Sequence, residues 1–163
     1  MQLGGGQESG RRGGTENVPY MVGFGAAITL AESRRAEAVR RSSDLRDRLW
    51  KGIEEVVPDA KLNGPSDFTR RLPNNLNVSF SGVQGETLLL ALDMMGIAAS
   101  AGSACTTGNS EPSHVLLAMG QSEERARSSL RFSVGPTTTS DDIDEVIDVL
   151  AEAVERVRMV GGA

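Results

Sequence analysis

The hydrophobic period of this chain switches along its length, and that switching constrains the fold more than any other feature. Leu76, Val78 and Phe80 alternate with Asn77 and Ser79, the two-residue period of a half-buried strand. Gly82 and Gly85 break the alternation. From Glu86 the period lengthens, so that Leu88, Leu92 and Met95 share one helical face, and Gly96 closes that helix. Ile97-Ala98-Ala99 reads as a short strand. Ser113 reads as the N-cap of a short helix through Val115, Leu116 and Met119, ended by Gly120, and another short helix is expected over Glu123 to Arg127. Leu130, Phe132 and Val134 alternate with Arg131 and Ser133 and give a second clear strand. Strands and helices in this succession predict βαβ-like elements and an α/β layer arrangement.

Two longer helical patterns flank this core. Upstream, Asn17 is a plausible N-cap with Pro19 close to the first turn, and the pattern runs to about Val56 before Pro58 ends it. Its middle, Glu32 to Arg41, is strongly charged, as the solvated face of a helix is. Downstream, Thr139 with Asp142 resembles a capping box. Behind it Ile143, Ile147, Leu150, Val154 and Val157 recur at spacings of four, three, four and three. No internal repeat is visible.

The chain has 163 residues, enough for one domain with a real core, and only 4% of them are aromatic, so that core must be aliphatic. A net charge of −5 argues against general nucleic-acid binding. No apolar run is long enough to span a membrane. The N-terminal residues lack the basic and apolar regions of a signal peptide, which makes a cytoplasmic location the default. One cysteine and one histidine make neither an internal disulfide nor a usual zinc site.

Four features could carry chemistry. The polar, glycine-rich opening from Gly4 to Thr15 is either an ordinary surface loop or a phosphate contact, since glycines let backbone N–H groups approach an anion. Thr15 and the start of the following helix would add a hydroxyl and a positive dipole end. Cys105, the only cysteine, sits among small residues and glycines: it is an incidental surface thiol or a reactive one that must be reached. Arg131 lies out of phase with Leu130, Phe132 and Val134 and points to the other sheet face. Its partner is a carboxylate within the fold or a bound anion. His114, the only histidine, reads as a structural residue at a helix start.

Taken together, the blocks GGGQESGRRGGTENVP at 4–19, RLPNNLNVSFSGVQGETLLLALDMMGI at 71–97, SAGSACTTGNSEPSHVL at 100–116 and LRFSVGPTTTSDDIDEVI at 130–147 resemble the pyridoxal-phosphate-dependent cysteine desulfurases of the class V aminotransferase family. The match is to the group with the longer cysteine loop. The resemblance implies a fold of the aspartate-aminotransferase type (fold type I). It implies that this chain is the C-terminal portion: residues 1–20 as the tail of the large cofactor-binding domain, 21–57 as a long connecting helix, and 58–163 as the small α/β domain.

It further implies that Cys105 attacks the sulfur of the substrate L-cysteine and keeps it as a persulfide, with L-alanine released. Arg131 would pair with the substrate carboxylate. Thr15 would reach across a homodimer to the phosphate of pyridoxal 5'-phosphate. The sulfur would go to an acceptor protein such as an iron–sulfur scaffold, or to tRNA thiolation. The family's Schiff-base lysine lies before the glycine block, and neither Lys51 nor Lys61 matches it, so the isolated chain is expected to be inactive. The alternative is a stand-alone sulfur-relay module without cofactor chemistry of its own. Pro136 departs from the family, in which a basic residue often follows this glycine.

Overall fold

The computed structural model describes residues 4–102 and 111–161. Two compact units are present, Met1–Ala38 and Val39–Ala163. In the first, Glu8, Ser9 and Gly10 all take left-handed backbone angles (φ 51°, 56° and 76°) within a single turn. Helix α1 follows as Val18–Val56. Asn17 caps it as expected, its Oδ1 accepting the Tyr20 N–H at 3.2 Å. The early turns of α1 expose large apolar side chains, Tyr20, Met21 and Phe24 among them. The charged middle is solvated, with Arg35 paired to Glu32 one turn away.

The second unit is built on four strands: β1 (Lys61–Leu62), β2 (Asn75–Ser79), β3 (Ser100–Ala101) and β4 (Ser129–Ser133). Their order in the sheet is β1-β2-β4-β3, and every neighbouring pair is antiparallel. The expected βαβ character survives in altered form. Since β2 and β3 both run antiparallel to β4, they run parallel to one another, with helix α2 (Gly85–Met94) between them in sequence. Strand β4 is slotted between them, which makes a split βαβ unit.

One strand lies later than its pattern suggests. Ile97-Ala98-Ala99 stays outside the sheet, and Ser100–Ala101 pairs instead. The cause is the end of α2. Gly96 takes φ 84°, the Gly96 N–H bonds the Asp93 carbonyl at 3.0 Å, and the Ile97 N–H bonds the Leu92 carbonyl at 2.9 Å. This is a Schellman closure, and it ties Ile97 to the helix before the chain can join the sheet.

Helices α3 (His114–Ala118), α4 (Glu123–Arg127) and α5 (Ser140–Gly161) complete the unit. Ser113 precedes α3 without a side-chain cap, whereas Ser122 Oγ accepts the Arg125 N–H at 3.2 Å. The capping box of α5 is reciprocal: Thr139 N–H donates to Asp142 Oδ2 at 2.7 Å, and Asp142 N–H donates to Thr139 Oγ1 at 3.2 Å.

Leu45, Leu49 and Ile53 of α1, Leu88 and Leu92 of α2, and Leu150, Val154 and Val157 of α5 bury themselves with Leu76, Val78, Leu130 and Phe132 of the sheet in one aliphatic core. Gly85 permits the close seating of α2, because a Cβ there would lie 2.6 Å from the Arg127 carbonyl oxygen.

Candidate functional site

Period-two alternation leaves the other face of the sheet polar. Asn75, Asn77 and Ser79 on β2 lie opposite Ser133, Arg131 and Ser129 on β4. Behind this face Asn63, only 2% exposed, organises a buried polar network. Its Nδ2 donates to Asn77 Oδ1 at 2.7 Å and to Ser129 Oγ at 3.0 Å. Its Oδ1 accepts from Ser79 Oγ at 3.0 Å and from Arg125 Nε at 3.1 Å. Arg125 Nη2 also donates to the Leu62 carbonyl at 3.0 Å, which anchors the end of β1.

In front of the network lies a cavity of about 540 Å³, lined by Asn63, Asn77, Arg70, Arg71, Arg131 and His114 among others. It includes three arginines and no Asp or Glu among the described lining residues, so its potential favours an anion. Arg71 is committed to the wall: it donates to the Asn63 carbonyl at 2.6 Å and the Pro65 carbonyl at 2.7 Å. Its guanidinium lies 5.6 Å from the Phe68 ring centre, and that of Arg46 lies 4.8 Å from the same ring. Burial, and secondarily the charge of Arg46, hold the Arg71 pKa below its ordinary value.

Arg131 differs from Arg71. It is half-buried on β4, between Asn77 of β2 and Ser100 of β3, and its side chain makes no hydrogen bond or ion pair with any described residue. The ion pair within the fold, one of its two sequence readings, is therefore not formed among the described residues. Gly102 and Ser113 line the same cavity, so the chain enters and leaves the segment containing Cys105 beside Arg131. Cys105 itself lies outside the described residues. Thr15 belongs to the first unit, where it is exposed just ahead of α1.

His114, a helix-start residue by sequence, also lines the cavity. Asn63 and Asn77 are not among the residues that the sequence marks as chemical. Asn77 does share the out-of-phase position of Arg131 on its own strand, but the register that pairs the two is not a local property.

The model for the aminotransferase class-V family matches residues 4–146. The chain belongs to the class-V aminotransferase family. A cysteine desulfurase, IscS, of Clostridium botulinum is 52% identical over 95% of this chain and 39% of that protein. A cysteine desulfurase of Nostoc is 49% identical over 97% of this chain and, again, 39% of its relative. The crystal structure of a NifS-like protein from Rickettsia africae superposes with a TM-score of 0.77 at 32% identity, over 95% of this chain and 39% of that one. The chain thus spans about two-fifths of the length of these class-V relatives, and its mixed α/β fold with a small antiparallel sheet matches the NifS-like structure.

Cysteine desulfurases of the class-V family use pyridoxal phosphate. The described residues do not by themselves fit that group. Lys51 is exposed and pairs with Glu55 on α1, Lys61 is exposed on β1, and neither lines the cavity. The one orphaned polar atom buried among the described residues, Gln7 Oε1, is an acceptor and offers nothing to a phosphate.

Proposed function

We propose that this chain supplies the substrate-orienting and sulfur-accepting part of a cysteine desulfurase, which converts L-cysteine to L-alanine and retains the sulfur as a persulfide on Cys105. The observation that carries this reading is Arg131: an arginine without a protein partner among the described residues, on the floor of an anion-favouring cavity. Its planar fork matches a carboxylate. The flanks of the Cys105 segment at the same cavity support delivery of a thiol to a substrate held there.

The electron sink for such a reaction is the cofactor's own chemistry. We assign its lysine anchor to parts of a family-length protein outside this sequence, and expect the 163-residue chain alone to be inactive. Thr15 is proposed as the contact to the cofactor phosphate of the other subunit in a homodimer, on the strength of its exposed position just ahead of α1. Residues 1–20 then belong to the large domain, 21–57 to a connecting helix and 58–163 to the small domain. The sulfur acceptor is another protein, such as an iron–sulfur scaffold. A cytoplasmic setting accords with the absence, among the described residues, of any helix long and apolar enough to cross a membrane.

Mass spectrometry after exposure of the family-length protein to L-cysteine tests the reading. A persulfide on Cys105 is expected, and a Cys105→Ala variant that still released sulfur at the parent rate would overturn it. Separately, the 163-residue chain is expected to retain no pyridoxal phosphate through gel filtration, and stoichiometric retention contradicts the assignment of the anchor elsewhere.

A further inference from the structure

We infer that Asn77 is a second donor to the substrate carboxylate beside Arg131, and that Asn63 is the positioning residue that turns its amide toward the cavity. The inference rests on the reading of Arg131 given above. Its own warrant is a chain of hydrogen bonds that leaves one orientation for each amide.

Arg125 begins that chain. A guanidinium can only donate, so the Asn63 atom 3.1 Å from Arg125 Nε must be the amide oxygen. Ser79 Oγ donates to the same oxygen at 3.0 Å. The Asn63 NH₂ group therefore faces the other way, toward Asn77 and Ser129. Asn77 must present its oxygen to that NH₂, at 2.7 Å, which turns its own NH₂ group away from the network. The Asn77 Nδ2 donates to no described residue. Nor is it a buried orphan, so it is open to the cavity that Asn77 lines.

Asn77 and Arg131 are direct partners in the β2–β4 register and share the polar face. Side chains so paired stand with their Cβ atoms about 4.5–5.5 Å apart. A carboxylate has about four acceptor sites, and an arginine fork fills two of them. A fixed amide N–H next to the fork can take a third, as a charge-assisted bond whose donor needs no reorganisation on binding. An aspartate at the same place would repel the ligand and neutralise Arg131.

The test uses the family-length protein, with L-cysteine kinetics and calorimetric dissociation constants for L-alanine and L-alaninamide. L-alanine keeps the substrate's carboxylate, and L-alaninamide lacks it. Asn77→Ala is expected to raise the L-cysteine KM and the L-alanine Kd about 10-fold, with kcat within about twofold and the L-alaninamide Kd unchanged. Asn77→Thr keeps a neutral acceptor for Asn63 and a residue suited to a strand while removing the amide N–H, so it decides the matter if the alanine variant does not fold. Its L-alanine Kd should rise as in the alanine variant.

An unchanged L-alanine Kd in the Asn77 variants overturns the inference, and so does an equal loss for L-alaninamide. Arg131→Ala separates the two readings. If it leaves the L-alanine Kd unchanged, the carboxylate reading of Arg131 has failed. If it weakens L-alanine while the Asn77 variants do not, only the role of Asn77 has failed.

Discussion

The two faces of the four-stranded sheet come from alternate residues of the same strands and serve opposite ends. One face presents Leu76, Val78, Leu130 and Phe132 to α1, α2 and α5 and is sealed from water. The other presents Asn75, Asn77 and Arg131 to a cavity. Adjacent residues on β4 therefore differ completely in environment: Leu130 is 0% exposed, whereas Arg131 faces open space with no described partner. The apolar face thus carries the stability and leaves the polar face free to hold groups whose hydrogen bonds are reserved for a ligand.

The sharpest way to break that division is to truncate each face in turn. Leu130→Ala should cost about 3–5 kcal/mol in urea unfolding, through lost burial and the cavity left behind. Arg131→Ala should leave urea stability within about 1 kcal/mol, because no described side-chain hydrogen bond or ion pair is lost, yet raise the L-cysteine KM of the family-length protein about 100-fold. If the arginine variant unfolds as readily as the leucine variant, the division of labour between the faces is wrong.

Arg125→Ala probes the boundary between the faces. It removes a charged donor from Asn63 and from the Leu62 carbonyl, and should cost about 1–3 kcal/mol, read from the same urea transition. It also frees the Asn63 amide to turn over, so the L-alanine Kd should weaken along with stability.

The smallest effects belong to the start of α5, none of whose described residues lines the cavity. Thr139→Ala should lower Tm by about 2–4 °C. The Thr139 backbone N–H, and secondarily its hydroxyl, hold the Asp142 carboxyl below its ordinary pKa. The unfolded chain binds that proton at higher pH than the folded one does. The contribution is therefore complete above the ordinary aspartate value and is lost as pH falls through the depressed folded value. Asp142→Asn should flatten that acid-side loss in Tm-versus-pH curves and leave L-alanine binding untouched.

Much of this is legible in the sequence. The α1 boundaries, the α5 capping box and both five-residue strands follow from local chemistry: caps, prolines and the two-residue period. The displaced strand was not legible, because Ile97-Ala98-Ala99 is apolar enough for a sheet and only the helix closure at Gly96 removes it. The place of His114 is hidden from the sequence for a related reason. A lone histidine at a helix start has no local signature of function, and its place beside Arg131 comes from how the chain returns after residue 110.

Which residues face apart on each strand follows from the amino-acid order alone, since side-chain alternation is a property of the extended backbone. The family, too, is legible there, in blocks spread along the chain. That Asn77 stands opposite Arg131 and that Asn63 orients it arises only on folding. Register is set by packing between segments far apart in sequence, and a shift of one residue would have sent Asn77 and Arg131 to opposite faces.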